Sequence, residues 1–309
     1  MPSLVTIGIP CYNAAQWIAA SVQSALDQTW PDTEVIVVDD GSTDGSVDVL
    51  QKFGSSIRVI QASHGGANRA RNTVLKVASG EWIQYLDADD YLLPGKIERQ
   101  FAEAGSPEEA DVIYSPILLE EWKDGRALPL KDEPIDSTTD VYSQLLRWQL
   151  PQTGGGLWRK AVFEAIGGWD EDPAILCDEH DCYLRALQAG KRFVFAPTPG
   201  AVYRIWSEQT RCHQDQPAVI AGRTAVSEAL RAWLRNRGQW TPAHKDALGQ
   251  SFLEMARKLA SNDLAFAARY HATRKRDIHL AGPAAPQTYQ FAYRALGFRA
   301  AELLARALR

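Results

Sequence analysis

The chain has 309 residues, of which 45% are hydrophobic and 23% are charged, as in an ordinary globular protein. This length allows one large domain or two modest ones, with a core that needs no disulfides. The first ten residues lack the basic and apolar segments of a signal peptide, and no apolar run reaches the roughly 20 residues of a membrane-spanning helix.

The four cysteines match no zinc-binding or CxxC spacing, and they are Cys11, Cys177, Cys182 and Cys212. We therefore expect reduced thiols in a cytoplasmic protein.

The net charge of −5 conceals two regions of opposite sign. Residues 207–309 carry 16 Lys and Arg against 8 Asp and Glu, and residues 1–206 carry 17 against 30. An acidic half suits a bound metal ion, and a basic half suits an anionic surface such as lipid headgroups or a polyanion. Solvated helix faces would give the same count.

The first hundred residues alternate predicted strands with predicted helices. Apolar runs predict strands over 4–9, 34–38, 57–61 and 82–86. Helical spacing predicts helices over 14–26 and 67–78, and Ser42 and Thr43 are suited to cap a helix that runs through Phe53. This order predicts an α/β fold with a mostly parallel sheet, and ligands bind such sheets at the carboxyl ends of the strands.

The next hundred residues have a mixed pattern. We predict strands over 112–114, 117–122, 193–195 and 201–203, and helices over 141–148, 160–166 and 179–188. Beyond Pro217 the pattern is helical to the end, with a break at 282–286.

Three carboxylates, Asp87, Asp89 and Asp90, directly follow the strand predicted over 82–86. Clustered carboxylates repel one another, and a divalent cation balances their charge. Mg²⁺ typically takes one or two carboxylates together with diphosphate oxygens. The alternative is a plain acidic turn.

A second acidic turn, Asp39-Asp40-Gly41-Ser42, follows the strand predicted over 34–38. Asp40 could accept a hydrogen bond from a nucleotide base or a ribose hydroxyl, and Gly41 lets the backbone approach a ligand. The alternative is a helix-capping turn, in which Asp44 is an acid of the first helical turn.

A glycine pair, Gly65-Gly66, opens the helix predicted over 67–78, which carries Arg69 and Arg71. Helix N-termini bind phosphate, and arginine pairs with phosphate through two hydrogen bonds. The two arginines lie on different helix faces, so we expect only one to point at a ligand. The GK[ST] ending of a Walker loop is absent.

Acidic residues cluster at the start of the helix predicted over 179–188, where Asp178-Glu179-His180-Asp181 occurs. One of these carboxylates could deprotonate an acceptor hydroxyl as a general base. The alternative is ordinary complementarity between acids and the helix dipole. An isolated histidine such as His180 is more often structural than catalytic.

In combination, these segments resemble the family 2 glycosyltransferases of GT-A fold, over roughly residues 3–210. The resemblance rests on Ile9-Pro10-Cys11-Tyr12-Asn13, Gln28-Thr29, Glu34 to Asp44, Ala70-Arg71-Asn72, Ser79 to Ile83, Leu86 to Asp90, Gly167 to Glu171, and Asp178 to Arg185. It implies a Rossmann-like catalytic domain over 1–210, with a nucleotide-binding half (1–110) and an acceptor-binding half (111–210), followed by a helical region over 211–309.

The resemblance implies inverting transfer of a sugar from a nucleotide diphosphate, UDP by default, with Mg²⁺ or Mn²⁺. Asp89 and Asp90 would hold the metal. Glu179 would be the base, with Asp178 and Asp181 beside it and Asp181 its rival. The donor would contact Pro10, Tyr12, Asn13, Asp40, Gly66, Arg71, Asp87, Ala88 and Asp89. The acceptor side would include Trp158, Trp169 and Trp206.

Two positions depart from the family pattern. The family usually has a Glu-Asp pair with Asp as the base, whereas the order here is Asp178-Glu179. Trp206 stands where the family often has a histidine, and an indole cannot bind a metal. His213 is an alternative ligand, and Trp206 is an alternative surface for stacking on donor or acceptor.

The last predicted helix, over 289–309, is amphipathic. Apolar Phe291, Leu296, Phe298, Leu303 and Leu304 alternate with basic Arg294, Arg299, Arg306 and Arg309. Such a helix lies in a membrane interface, packs on its own domain or forms a dimer. We hypothesise peripheral contact with the inner face of the plasma membrane.

The sequence thus predicts a cytoplasmic glycosyltransferase that acts on a glycan, lipid-linked or polysaccharide acceptor, with no nucleic-acid partner. A sugar-phosphate nucleotidyltransferase is the first alternative, but it would show a Gly-rich basic loop after the first strand, where Pro10-Cys11-Tyr12-Asn13 stands instead. A non-catalytic nucleotide-sugar or glycan-binding module is the second. A two-carboxylate glycosidase is the least favoured alternative, because it needs no diphosphate-binding apparatus.

Overall fold

The structure is a computed structural model that describes residues 3–172, 177–206 and 216–308. The chain divides into two units: Met1–Ser137 with Leu150–Thr210, and Thr138–Gln149 with Arg211–Arg309. We call them the sheet unit and the helical unit. The segment Thr138–Gln149 lies inside the domain predicted over 1–210, yet it belongs to the helical unit because its helix packs on the C-terminal helices.

The sheet unit contains every strand found in the described residues. They are β1 (Val5–Cys11), β2 (Thr33–Asp39), β3 (Arg58–Gln61), β4 (Trp82–Tyr85), β5 (Tyr91–Leu92), β6 (Val112–Tyr114), β7 (Ile117–Lys123), β8 (Arg126–Ala127), β9 (Lys131–Glu133), β10 (Gly156–Arg159), β11 (Phe193–Phe195) and β12 (Ala201–Ile205). Its helices are α1 (Ile18–Leu26), α2 (Ser46–Gln51), α3 (Ala67–Val77), α4 (Lys96–Glu103), α6 (Lys160–Ile166) and α7 (Asp178–Gln188).

The main sheet has the strand order β11-β6-β10-β4-β1-β2-β3. Strand β1 pairs in parallel with both β2 and β4, and β2 pairs in parallel with β3. All seven residues of β1 are buried, as expected for a central strand covered on both faces. Helix α3 packs so closely that a Cβ on Gly8 would lie 2.5 Å from Val74 Cγ1. The predicted mostly parallel α/β sheet is confirmed.

Several elements were not predicted. Strand β10 runs antiparallel between β4 and β6. The three consecutive glycines at 154–156, where this strand begins, obscure its pattern in the sequence. A second sheet has the order β5-β12-β7-β8, with β9 also paired to β7; its strands β7 and β12 were predicted, whereas β5, β8 and β9 were not. Helix α4 is the third omission. Most of these strands are short, and short strands carry little periodicity of their own.

The helix predicted from Ser42 begins later, at Ser46. Ser42 Oγ accepts a hydrogen bond from Asn13 N at 3.0 Å, and Thr43 N donates to Asn13 Oδ1 at 2.8 Å. Both residues are therefore held by the turn after β1 rather than capping α2. The prediction was wrong because the partner of these side chains is distant in sequence.

The helical unit contains α5 (Val141–Leu146), α8 (Gln216–Asn236), α9 (Pro242–Asn262), α10 (Leu264–Arg274) and α11 (Gln287–Ala307). Helix α9 begins with a capping box between Thr241 and His244. Helix α11 is broken at Gly297, where φ is 79° and ψ is 175°. Within the described ranges, no helix is long and apolar enough to span a membrane.

Candidate active site

The turn after β2 is fixed by the carboxylate of Asp40, which is 4% exposed. Its two oxygens accept hydrogen bonds from Gly65 N at 2.9 Å and Gly66 N at 2.8 Å, and Oδ2 lies 2.9 Å from His64 Nδ1. Asp40 therefore pins the glycine pair that opens α3. Gly41 has a φ of 78°, and a Cβ added to it would lie 3.0 Å from His64 N, so a side chain there would be strained and crowded.

An exposed aromatic pair borders this turn. Tyr12, 47% exposed, stacks on His64 with ring centroids 4.1 Å apart. Asn13 beside it adopts a positive φ of 48° and holds the loop before α2. Pro10 precedes this pair in the buried strand β1. The contacts of Pro10, Tyr12, Asn13, Asp40 and Gly66 with a donor stay predictions.

Arg71 on α3 is the centre of the site. Its guanidinium is 5% exposed and bonds Asp87 Oδ1 at 2.7 Å, while NH1 lies 3.6 Å from Asp178 Oδ2. Burial lowers its pKa, but the charges of Asp87, Glu179 and Asp178 outweigh burial and raise it. Arg71 therefore stays charged and joins the turn after β4 to the start of α7.

The three carboxylates after β4 have different surroundings. Asp90 is 3% exposed, and its Oδ1 accepts a hydrogen bond from Arg204 N at 2.8 Å. Burial raises the pKa of Asp90 well above its usual range, followed by the charges of Asp89 and Asp87. Asp87 and Asp89 are partly exposed, whereas Ala88 between them is buried. This arrangement favours Asp89 over Asp90 as the accessible metal ligand, and both stay predictions.

Trp206, which directly follows strand β12, contacts the same turn. Its indole Nε1 donates to Asp89 Oδ2 at 2.8 Å, and the side chain is 40% exposed. The preceding Arg204 donates from NH1 to the carbonyl of Asp89 at 3.1 Å and pairs with Glu120 Oε1 at 3.0 Å. Trp206 thus holds a carboxylate on the donor side. His213, the alternative metal ligand, lies outside the described residues.

Two candidate bases on α7 have different partners. Glu179 Oε1 accepts a hydrogen bond from the Thr153 hydroxyl at 2.7 Å, and the side chain is partly exposed. Asp181 Oδ2 instead accepts from Arg185 Nε at 2.8 Å. Arg185 NH1 also bonds the carbonyl oxygens of Ile166 and Gly168. Asp181 is therefore committed to an anchored arginine, which favours Glu179 as the base.

The indoles of Trp158 and Trp169 are each only 3% exposed. Trp158 stacks on Tyr183 with ring centroids 5.0 Å apart. Trp169 stacks on Phe163, and Arg71 lies 4.5 Å above its ring. Neither ring has a face open to a sugar, so this structure favours packing roles rather than the predicted acceptor contacts. Both aromatic patterns fit a core as well as a carbohydrate site, and the acceptor contacts of Trp158 and Trp169 stay predictions.

The donor set after β4 fits a divalent cation. Burial raises the pKa of Asp89, and the neighbouring charge of Asp87 raises it further, a repulsion that a cation relieves. Among the described residues, no three His, Cys, Asp or Glu side chains form a complete metal cage. Mg²⁺ typically takes one or two carboxylates and completes its shell with water and substrate phosphates, so these oxygens suit an ion that arrives with a diphosphate.

Sequence reasoning missed three contacting residues: His64, Thr153 and Arg204. His64 directly precedes the glycine pair, and Arg204 lies two residues before Trp206, so both were within reach of the sequence. Thr153 could not be predicted from the sequence. It lies 26 residues before Glu179, and only the folded structure brings the two side chains into contact.

Comparison with known proteins places the chain in a family. The sequence model described as Glycosyl transferase family 2 matches residues 6–160, half of the chain. The Escherichia coli UDP-Glc:alpha-D-GlcNAc-diphosphoundecaprenol beta-1,3-glucosyltransferase WfaP is 44% identical over 100 residues, which are 31% of this chain and 39% of that protein. The chondroitin synthase of Pasteurella multocida (strain Pm70) is 43% identical over 98 residues, 31% of this chain and 10% of that one. The matches thus span less than half the length of these relatives.

Solved structures share the fold. S. aureus TarS 1-349 in complex with UDP-GlcNAc has a TM-score of 0.65 at 17% identity, covering 99% of this chain and 92% of that one. The Pyrobaculum calidifontis mannosyltransferase PcManGT in complex with GDP-Man and Mn²⁺ has a TM-score of 0.53 at 19% identity, covering 98% and 86%. These likenesses confirm the predicted GT-A fold. With the family match over β1 to β10, they lead to one conclusion: the chain belongs to glycosyl transferase family 2.

Proposed function

We propose that the protein transfers a sugar from a nucleotide diphosphate sugar, with UDP as the default nucleotide, to a hydroxyl of a carbohydrate or lipid-linked acceptor. The observation that carries the proposal is the position of Arg71. This buried cation bonds Asp87 after β4 and lies near Asp178 at the start of α7. It therefore ties the carboxylates suited to a donor to those suited to an acceptor.

On the donor side, the turn after β2 supports a nucleoside pocket. Asp40 fixes the glycine pair, and the exposed ring of Tyr12 offers a surface on which a base can stack. Two structural neighbours are described in complex with UDP-GlcNAc and with GDP-Man, which supports a nucleotide-sugar donor but leaves the base open.

Asp89, with Asp87 beside it, would hold Mg²⁺ or Mn²⁺. When bound, the cation supplies a Lewis acid that stabilises the departing diphosphate. Trp206 orients the Asp89 carboxylate through its indole N–H. Asp90 supports the turn from behind, since its carboxylate is buried against the backbone of Arg204.

On the acceptor side, Glu179 removes the proton of the attacking hydroxyl. The hydrogen bond from Thr153 holds Glu179 Oε1, so Oε2 is the oxygen assigned to the proton. The hydroxyl then attacks the anomeric carbon from the face opposite the diphosphate, in a single displacement with inversion. The neighbouring carboxylates keep Arg71 charged, because their charges raise its pKa.

The names of two relatives support a class of acceptor. One is named for a diphosphoundecaprenol-linked acceptor and another for chondroitin synthesis, a polysaccharide. We propose a surface glycan or its lipid-linked precursor as the acceptor, and the cytoplasm as the site of the reaction.

The test is a donor panel read by thermal shift. The protein is mixed with UDP-, GDP- and dTDP-sugars, each with Mn²⁺ and again with EDTA. A ligand that binds only the folded protein raises Tm, because it adds to the free energy of unfolding. At a ligand concentration a hundredfold above Kd, the added stability is about 2.7 kcal/mol. We expect one nucleotide class to raise Tm with Mn²⁺ and to lose most of the shift with EDTA.

The matched control for loss of a metal-binding carboxylate is Asp48→Asn, which removes an exposed carboxylate on α2. It should shift like the unaltered chain. No shift with any donor would contradict the proposed donor site. A full shift in EDTA would contradict the proposed need for a metal ion but would leave the proposed donor site in place.

A further inference from the structure

A second pocket lies in the helical unit, between α10 and α11. It has a volume of about 570 Å³, and ten residues line it. Three of these are the exposed cations Lys275, Arg294 and Arg299, and none of the ten is acidic. A pocket with three cations and no carboxylate in its lining attracts an anion.

The floor of the pocket is neutral and packed with aromatic rings. His271 is 7% exposed, its Nε2 lies 2.6 Å from the Tyr293 hydroxyl, and its ring stacks on Phe298 at a centroid distance of 4.4 Å. Burial lowers the pKa of His271, and the charge of Lys275 lowers it further, so the ring is uncharged near pH 7. The positive charge therefore sits at the rim.

The break in α11 adds to this field. Gly297 leaves the helical conformation, so Phe298 and Arg299 begin a new helical turn inside the pocket lining. The first turn of a helix carries backbone N–H groups without intrahelical acceptors and the positive end of the helix dipole. This backbone contribution has the same sign as that of the three side chains.

Apolar side chains are exposed beside the cations. Leu296, 60% exposed, lines the pocket itself. Phe291, 77% exposed, is three residues before Arg294, and Leu303, 55% exposed, is four residues after Arg299. Residues at these spacings are neighbours on a helix surface. The pocket therefore combines an anion site with an apolar rim.

We propose that this pocket binds the phosphate headgroup of an anionic phospholipid, and that Phe291, Leu296 and Leu303 enter the apolar layer beneath the headgroups. Cations at a rim of exposed apolar side chains match a surface that is anionic outside and apolar beneath. The proposal gives specific residues to the membrane contact expected over 287–309. It does not rest on the proposed sugar transfer.

The test is co-sedimentation of the full chain with vesicles. One set contains phosphatidylcholine alone, and the other also contains phosphatidylglycerol. We expect pelleting with the anionic vesicles only, and weaker pelleting at high salt because salt screens surface charges. Equal pelleting with both sets, or none with either, would overturn the proposal.

Point variants replace deletion of the helix, because Tyr289 and Phe298 are buried in the core of the unit. Lys275→Gln, Arg294→Gln and Arg299→Gln are combined in one variant. Each lost cation near an anionic surface weakens binding about fivefold, so the triple variant should bind roughly a hundredfold more weakly. Phe291→Ser with Leu296→Ser should weaken binding by roughly tenfold or more.

The matched control combines Arg235→Gln, Arg237→Gln and Lys245→Gln, three exposed cations of the same unit outside the pocket lining. It loses the same charge and should retain most of the binding. An equal loss of vesicle binding in the control would indicate a general effect of charge and would contradict binding in the pocket. Binding of soluble glycerol phosphate by calorimetry without vesicle binding would assign a soluble anion and overturn the lipid assignment. A Tm for each variant confirms folding.

Discussion

The acidic turns after β2 and β4 flank the same central strand, since β2 and β4 both pair with β1. Their sequences are similar, yet their carboxylates have different surroundings. Asp40 after β2 is held by two backbone amides of the glycine pair. Asp89 after β4 is held at one oxygen by the indole of a partly exposed tryptophan, Trp206.

The difference teaches how a fold separates structural carboxylates from available ones. Backbone N–H groups cannot move away without unfolding the turn, so Asp40 is part of the scaffold. The indole of Trp206 can turn aside, and the repulsion from Asp87 raises the pKa of Asp89 in addition to burial. A carboxylate under repulsion gains from a cation, whereas one with amide partners already has its charge balanced.

The largest expected effect is on the turn after β4. Asp89→Asn removes the accessible carboxylate, and kcat/KM for sugar transfer with Mn²⁺ should fall on the order of a thousandfold. Tm should stay the same or rise, because the change also removes repulsion with Asp87. Initial rates and thermal melts measure both. Full turnover in Asp89→Asn would contradict the metal assignment, and Asp90→Asn, which changes the carboxylate buried against the backbone of Arg204, is the comparison variant.

The same contrast recurs on α7, between Glu179 and Asp181. Glu179→Gln should lower kcat by roughly 10² to 10⁴, the contribution of a general base, while the donor-induced shift in Tm persists. Asp181→Asn should cost about 1 kcal/mol of stability through the lost pair with Arg185 and only a small part of the rate. A greater loss of kcat in Asp181→Asn than in Glu179→Gln would assign the general base to Asp181 instead of Glu179.

The smallest effect is expected at the turn after β2, and on stability rather than chemistry. Asp40→Asn puts an amide nitrogen opposite one of the two glycine N–H groups, which costs about 1–3 kcal/mol of unfolding free energy. Urea denaturation measures this loss. If stability were unchanged while affinity for the UDP-sugar fell, Asp40 would be a donor contact, as the family resemblance predicts, and the contrast between the two turns would fail.

Much of the sheet unit could be predicted from the sequence, because its elements carry their own periodicity. The apolar runs that become β1, β2 and β4 identified a parallel sheet, and the acidic residues after two of them predict a ligand-binding edge. Predicted bounds agree with β6, α6 and β11 to the residue. Local pattern suffices here, since strand and helix periodicity are properties of adjacent residues.

Only the tertiary structure decided which side chains are available. Asp87, Asp89 and Asp90 look alike in sequence, but the backbone of Arg204, more than a hundred residues later, buries Asp90. Arg71 joins Asp87 to Asp178 across a similar separation, and the core closes over Trp158 and Trp169. The sequence by itself therefore determined the order of the elements and the chemistry at their ends. Burial and ion pairing come from contacts between distant segments, and no local pattern encodes them.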